Sequence, residues 1–122
     1  MRTQVLAKDK KYAWTNHILQ KMCFYRLSES RVRRILRNPK RIEEGIAPNT
    51  VASMQPSGSK RKTLRQAQGK EEIWVMWQKK NENNKKLILI SAWRYPGTSP
   101  VGKPIKIPED ILEDLRNSGL IE

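Results

Sequence analysis

The sequence predicts an α+β fold, two N-terminal helices packed on a small antiparallel sheet with a further helix at the C-terminal end. Three observations predict it. Apolar residues recur at helical spacing between Ile18 and Leu36. Two runs rich in β-branched and aromatic residues, Ile73 to Trp77 and Leu87 to Tyr95, flank a polar turn over 79–86 and read as an antiparallel hairpin. Carboxylates then open a short amphipathic stretch, Glu109 to Asn117, where the N-terminal end of a helix favours negative charge.

Taken in order, residues 1 to 11 are a basic lead-in, and Tyr12 to Thr15 add a short strand or turn. Thr15 or Asn16 caps the first helix, because a side-chain oxygen there can accept one of the unpaired amides. Along it, Ile18, Leu19, Met22 and Cys23 share a buried face, and His17, Lys21 and Tyr25 lie along another line. Ser28 caps a second helix that runs to Arg37 and ends at Asn38-Pro39. Its Val32, Ile35 and Leu36 point inward, and Arg31, Arg33, Arg34 and Arg37 fill the rest. Thr50 to Gln55 has weak strand character and is the candidate third strand that a marginal hairpin needs. Residues 56 to 70 have almost nothing to bury and read as an exposed loop. Four prolines and two glycines from Pro96 to Pro108 enforce an extended connection, and Gly119 stops the last helix. The domain division that follows is a basic body over 1–96, then a Pro-rich linker and acidic helix over 97–122. No internal repeat is present.

Charge sets the partner class. Twenty-five Lys and Arg against twelve Asp and Glu leave a formal charge of +13 on 122 residues. A polyanion relieves that repulsion and gains entropy by releasing counterions, so nucleic acid, and RNA in particular, is the expected partner. An anionic membrane surface and an acidic protein are the competing classes. Residues 1 to 41 carry twelve of the cations against only Asp9 and Glu29, so the basic surface is expected on the first two helices. Cys23 is the only cysteine, which excludes an intramolecular disulfide and fits a reducing compartment. The N-terminal residues lack the apolar core of a secretion signal, and Leu87 to Ile90 is too short to span a bilayer. A cytoplasmic location without membrane attachment is expected.

One His and one Cys cannot build a zinc shell, and no Gly-rich phosphate loop is present, so neither metal nor cofactor is expected. What remains is phosphate chemistry by cations and one imidazole. Metal-independent cleavage of RNA needs a group to take the 2′-hydroxyl proton, cations for the extra negative charge and an acid for the leaving oxygen. His17 fits as acid or base, Lys21 lies one helical turn away, and Arg94 and Tyr95 at the end of the last strand are candidates to face the same cleft. The plainer reading is a capping or partly buried His17 beside an ordinary solvated Lys21. Arg26, Arg31, Arg34 and Arg37 are the candidate phosphate contacts, with Lys60, Arg61 and Lys62 of the loop, beside Arg65 and Lys70, as a second set. Trp74, Trp77 and Trp93 are expected in or beside the core. Glu109, Asp110, Glu113 and Asp114 are placed to fold back over the basic helices and compete with nucleic acid; packing at a dimer interface is the alternative.

From His17 the run His17-Ile18-Leu19-Gln20-Lys21-Met22-Cys23-Phe24-Tyr25-Arg26-Leu27-Ser28, followed by Val32, Leu36, Asn38 and Pro39, resembles the signature of the domain-of-unknown-function 4258 family. That signature is His-Ala, then Arg-Met, then Arg, then Ile-Ser before a helix ending in Asn-Pro. The likeness covers residues 12 to 96. It implies a RelE-like fold of the barnase/EndoU/colicin group, a toxin-like endoribonuclease activity and His17 as a site residue; an acidic antitoxin or self-association is a further candidate partner. Two departures stand out: Lys21 where the family prefers Arg, and Tyr25 in place of a second Arg, with Arg26 beside it. The 56–70 loop and everything after Pro96 have no counterpart in that pattern. A non-catalytic RNA- or ribosome-associated module fits the same surface.

Overall fold

The computed structural model describes residues 11–57, 71–78, 86–97 and 104–119. Within them the chain runs β1 (Tyr12–Trp14), α1 (Asn16–Tyr25), α2 (Glu29–Arg37), β2 (Arg41–Glu44), β3 (Thr50–Pro56), β4 (Glu71–Gln78), β5 (Leu87–Pro96) and α3 (Glu109–Asn117). The fold is α+β. Its five strands lie in the order β1-β5-β4-β3-β2. The sheet is mixed rather than wholly antiparallel, because β1 joins β5 in parallel, Tyr12 opposite Leu87, while every other pair is antiparallel.

Strand alternation divides the core in two. Ile73, Val75, Leu89 and Ala92 join Ile18 and Met22 of α1, Val32 and Ile35 of α2, and Leu27 between the helices in one cluster. Trp74, Met76, Trp93, Ala52 and Met54 join Ile111 and Leu115 of α3 in the other. Helices therefore cover both faces, and α3 is a layer of the body rather than an appendage beyond a linker. Trp74 and Trp93 are completely buried and Trp77 partly so. Trp93 donates its indole N–H to the Lys106 carbonyl at 3.2 Å, which ties the segment leading into α3 to the sheet.

Both N-terminal helices start where their caps place them. Thr15 Oγ1 accepts from the Ile18 amide and donates to the Leu89 carbonyl at 2.8 Å, so one hydroxyl starts α1 and fixes it to β5. Ser28 Oγ accepts from the Arg31 amide at the start of α2. Cys23, expected to be buried, is exposed, as is its neighbour Phe24. The inward stripe of α1 is Ile18 and Met22, one helical turn apart, with Leu19 and Tyr25 partly buried beside it, and Cys23 falls just off that stripe.

Strand β5 carries one irregularity. Met76 pairs with Ser91 and Trp77 with Leu89, so Ile90 is an extra residue, a β-bulge. No described helix is long and apolar enough to cross a membrane.

Candidate functional site

Two groups of polar side chains lie along α1 and meet at its last residue, Tyr25. At its start, His17 is partly buried, with Nε2 3.0 Å from the hydroxyl of Ser91 beside the bulge. Its Nδ1 lies 3.9 Å from Asp114 of α3. Lys21, one turn on, donates to both Asp110 and Asp114 at 2.8 Å, and the Tyr25 hydroxyl donates to the other oxygen of Asp110 at 2.8 Å. Asp110 and Asp114 thus bridge α3 to the polar stripe of α1.

The electrostatics follow from this geometry. Burial lowers the pKa of His17 and Lys21 adds to the effect, against the opposing pull of Asp114 and Asp110. The ring is therefore held neutral. Burial alone would lower the Lys21 pKa, but its bonds to Asp110 and Asp114 outweigh it and the ammonium is stabilised. Burial, with the bond to Asp110, pushes the Tyr25 phenol well above its usual range. Burial would raise Asp110, yet the bonds from Lys21 and Tyr25 hold its carboxyl below the ordinary range.

The second group forms at the C-terminal end of α1. Arg26 closes the helix in the left-handed conformation (φ 57°, ψ 51°). Arg94 of β5 reaches under this turn, with Nε donating to the Tyr25 carbonyl at 2.6 Å and Nη2 to the Arg26 carbonyl at 3.2 Å. Its Nη1 donates to Ser57 and Glu71 at 3.3 and 3.2 Å. Arg31 of α2 completes the group. Its Nη2 makes a 3.4 Å contact with the Pro56 carbonyl, while its Nε is buried without a hydrogen-bond partner. Burial lowers the Arg31 pKa, and the positive fields of Arg34 and Arg94 lower it further. A buried donor without an acceptor costs free energy, and the fields of Arg34 and Arg94 oppose the charge on Arg31, although Arg94 is itself ion-paired with Glu71. An anion at this spot would remove both penalties.

Measured against the sequence reading, His17 and Lys21 do come together, joined through Asp114. Arg94 and Tyr95 do not join them. Adjacent strand residues point to opposite faces, so Arg94 pairs across from Ile73 and serves the α1 terminus, whereas Tyr95 pairs across from Glu72 and packs with the α3 cluster. The two groups adjoin at Tyr25, whose hydroxyl bonds Asp110 and whose carbonyl accepts from Arg94, but His17 itself lies nine residue steps, about 14 Å of helix, from Arg26. The arginines of α2 divide as well. Arg31 and Arg34 lie toward Arg94, while Arg33 pairs with Glu29 at 2.7 Å and lies over the rings of Tyr12 and Trp14. Arg26, Arg34 and Arg37 are exposed. Lys60, Arg61, Lys62, Arg65 and Lys70 lie outside the described residues.

Sequence reasoning did not single out Phe24, which is 68% exposed two residues before Arg26, with its ring 4.9 Å from that of Tyr25 in an edge-on contact and the Lys21 ammonium 5.3 Å from its centroid. The signal was available: on the helical wheel Phe24 falls away from the stripe of Ile18 and Met22. Among the described residues no group of three or more His, Cys, Asp or Glu is arranged to hold a metal ion. The chain matches no family model, no curated protein and no solved structure.

Proposed function

We propose that this chain is an RNA-binding module that grips the phosphate backbone of a single strand with Arg31, Arg34, Arg94 and Arg26. The buried, unpartnered Nε of Arg31 beside two further arginines carries the reading, because a phosphate oxygen supplies the missing acceptor and relieves the mutual repulsion. Phe24, exposed two residues before Arg26 and near the Lys21 ammonium, adds a ring on which an unpaired base can stack, which favours a single strand over a duplex. The charge of +13 supplies the long-range attraction. A preference for RNA over DNA, a RelE-like arrangement and membership of the domain-of-unknown-function 4258 family rest on the likeness around His17 and on the two helices packed against a mainly antiparallel sheet.

The test is anisotropy of a labelled single-stranded RNA titrated with the protein at several salt concentrations. Each phosphate contact removed by Arg31→Gln, Arg34→Gln or Arg26→Gln lowers the slope of log affinity against log salt by about 0.7. Phe24→Ala weakens binding by about 1–3 kcal/mol with the slope unchanged. Equal affinities and slopes for wild type and Arg31→Gln would refute the site, and tight binding to an acidic protein with none to RNA would replace it by a protein-binding surface.

Cleavage is the second reading, favoured by one observation: the partly buried imidazole of His17 is held with Nε2 3.0 Å from the Ser91 hydroxyl, where burial keeps its pKa below the ordinary value. In that reading Lys21 is the nearest cation, and Arg94 takes no part in the chemistry. Incubation with RNA in EDTA decides it: cleavage lost in His17→Ala supports an endoribonuclease, and intact RNA at high protein concentration leaves binding alone.

A further inference from the structure

We infer that two copies of this chain pair through the outer edge of β2, in one register fixed by charge, and join their sheets into one of ten strands. Among the described residues no strand lies beyond β2, which is therefore the edge of the described sheet, its outer backbone groups paired to no other described strand. The Gly45 amide donates to the Thr50 carbonyl at 3.0 Å, which turns residue 45 toward β3. By the alternation of an antiparallel ladder, residues 43 and 41 also turn inward, and Ile42 and Glu44 direct their N–H and C=O groups outward. The Lys40 amide is already given to Met54 at 2.8 Å, so the free edge is confined to Ile42 and Glu44.

A two-fold axis perpendicular to the sheet brings together only residues on the same face, which leaves three centres within reach. An axis at Glu43 sets Glu43 against Glu43, and an axis at Glu44 sets Glu44 against Glu44; both place like charges directly opposite. An axis at Ile42 sets Ile42 against Ile42 and each Arg41 against Glu43 of the second copy. Within one chain Arg41 Nε already lies 2.7 Å from Glu43 and its Nη1 3.8 Å from Glu72, so pairing sets each Arg41–Glu43 ion pair against that of the second copy with opposite charges facing. Glu44 comes opposite position 40 of the second copy, a lysine. Ile42 is 57% exposed, and the central contact of this register covers it. Charged residues on an edge strand ordinarily discourage pairing; here they discourage every register except one. The axis keeps α1 and α2 of both copies on one side of the joined sheet.

The experiment uses the full chain without RNA, so its outcome is independent of the RNA reading. Sedimentation equilibrium up to ~100 μM protein is expected to give twice the 14.3 kDa chain mass. Ile42→Lys, which sets two ammonium groups on the axis, gives a monomer with an unchanged circular dichroism spectrum, and Glu43→Lys weakens the dimer on the order of tenfold. With the exposed native thiol removed, Cys23→Ser/Ile42→Cys cross-links to itself under mild oxidation, because Cα atoms of a hydrogen-bonded pair lie about 5.5 Å apart, within disulfide reach. Cys23→Ser/Ile46→Cys does not. A wild-type monomer over the whole range, or cross-linking at Ile46 instead of Ile42, overturns the inference.

Discussion

The left-handed backbone at Arg26 is unusual for a residue with a side chain. Helices commonly end in this conformation, and glycine usually occupies it because it carries no steric penalty there. An arginine at this position costs about 1 kcal/mol of strain. Arg94 holds the turn by bonding the two carbonyls that the helix leaves unpaired. Arg26→Gly is therefore expected to raise stability by about 0.5–1 kcal/mol in urea melts while weakening RNA binding, a combination that separates a positioned cation from a merely tolerated one. Arg94→Lys gives the opposite pattern in stability, since an ammonium cannot reproduce the planar fork that spans both carbonyls. The sequence signalled few of these details. His17 and Lys21 were legible as neighbours because helical spacing makes them so. Arg94 and Arg31 meet from distant parts of the chain, and nothing local to either reveals the other.

Among the elements, the three helices were readable because their ends are written in side chains: Thr15, Ser28 and Asn38-Pro39 for the first two, and the opening carboxylates and Gly119 for the third. Strand β1 was legible only as a short strand or turn over Tyr12 to Thr15, and β2 was not expected. Tyr12–Trp14 and Arg41–Glu44 are short, the second is mostly charged, and both exist because a neighbouring strand supplies their hydrogen bonds. The acidic helix lies where self-shielding expected it, with Asp110 and Asp114 on Lys21 and beside His17. Glu109 instead lies 3.8 Å from Arg116 of its own helix, and Glu113 is exposed. Deleting the helix is a poor test of shielding, because Ile111 and Leu115 are buried in the core at about 1.5–3 kcal/mol each. Asp110→Asn/Asp114→Asn retains that packing. It frees the Lys21 charge, and RNA affinity is expected to rise while the melting temperature falls; an unchanged affinity would show that the two carboxylates do not screen the surface.

The same junction makes stability depend on pH. Burial holds the His17 pKa below its ordinary value of 6.5. The unfolded chain therefore binds that proton first, and stability falls as pH drops below about 6.5 toward the folded pKa. Asp110 acts further down: its depressed pKa contributes stability above the ordinary carboxylate range that is lost as pH falls through the folded value. Urea unfolding at a series of pH values is expected to show both losses, and His17→Gln removes the upper one while leaving the lower.

At the scale of the whole molecule, the surplus charge is organised in more than one place. Part of it is neutralised at the junction of α1 and α3, part lies over the rings of β1, and part is gathered around Arg31. Composition alone led to the expectation of a polyanion partner, but only the fold distinguishes a cation held in an ion pair from one that is not. The sheet order has a consequence for how the chain is made. The first strand lies beside the last, Tyr12 against Leu87, so it emerges from the ribosome long before its partner exists. Until β5 arrives, the apolar stripes of α1 and α2 have no complete surface to cover, and such distant pairings form slowly.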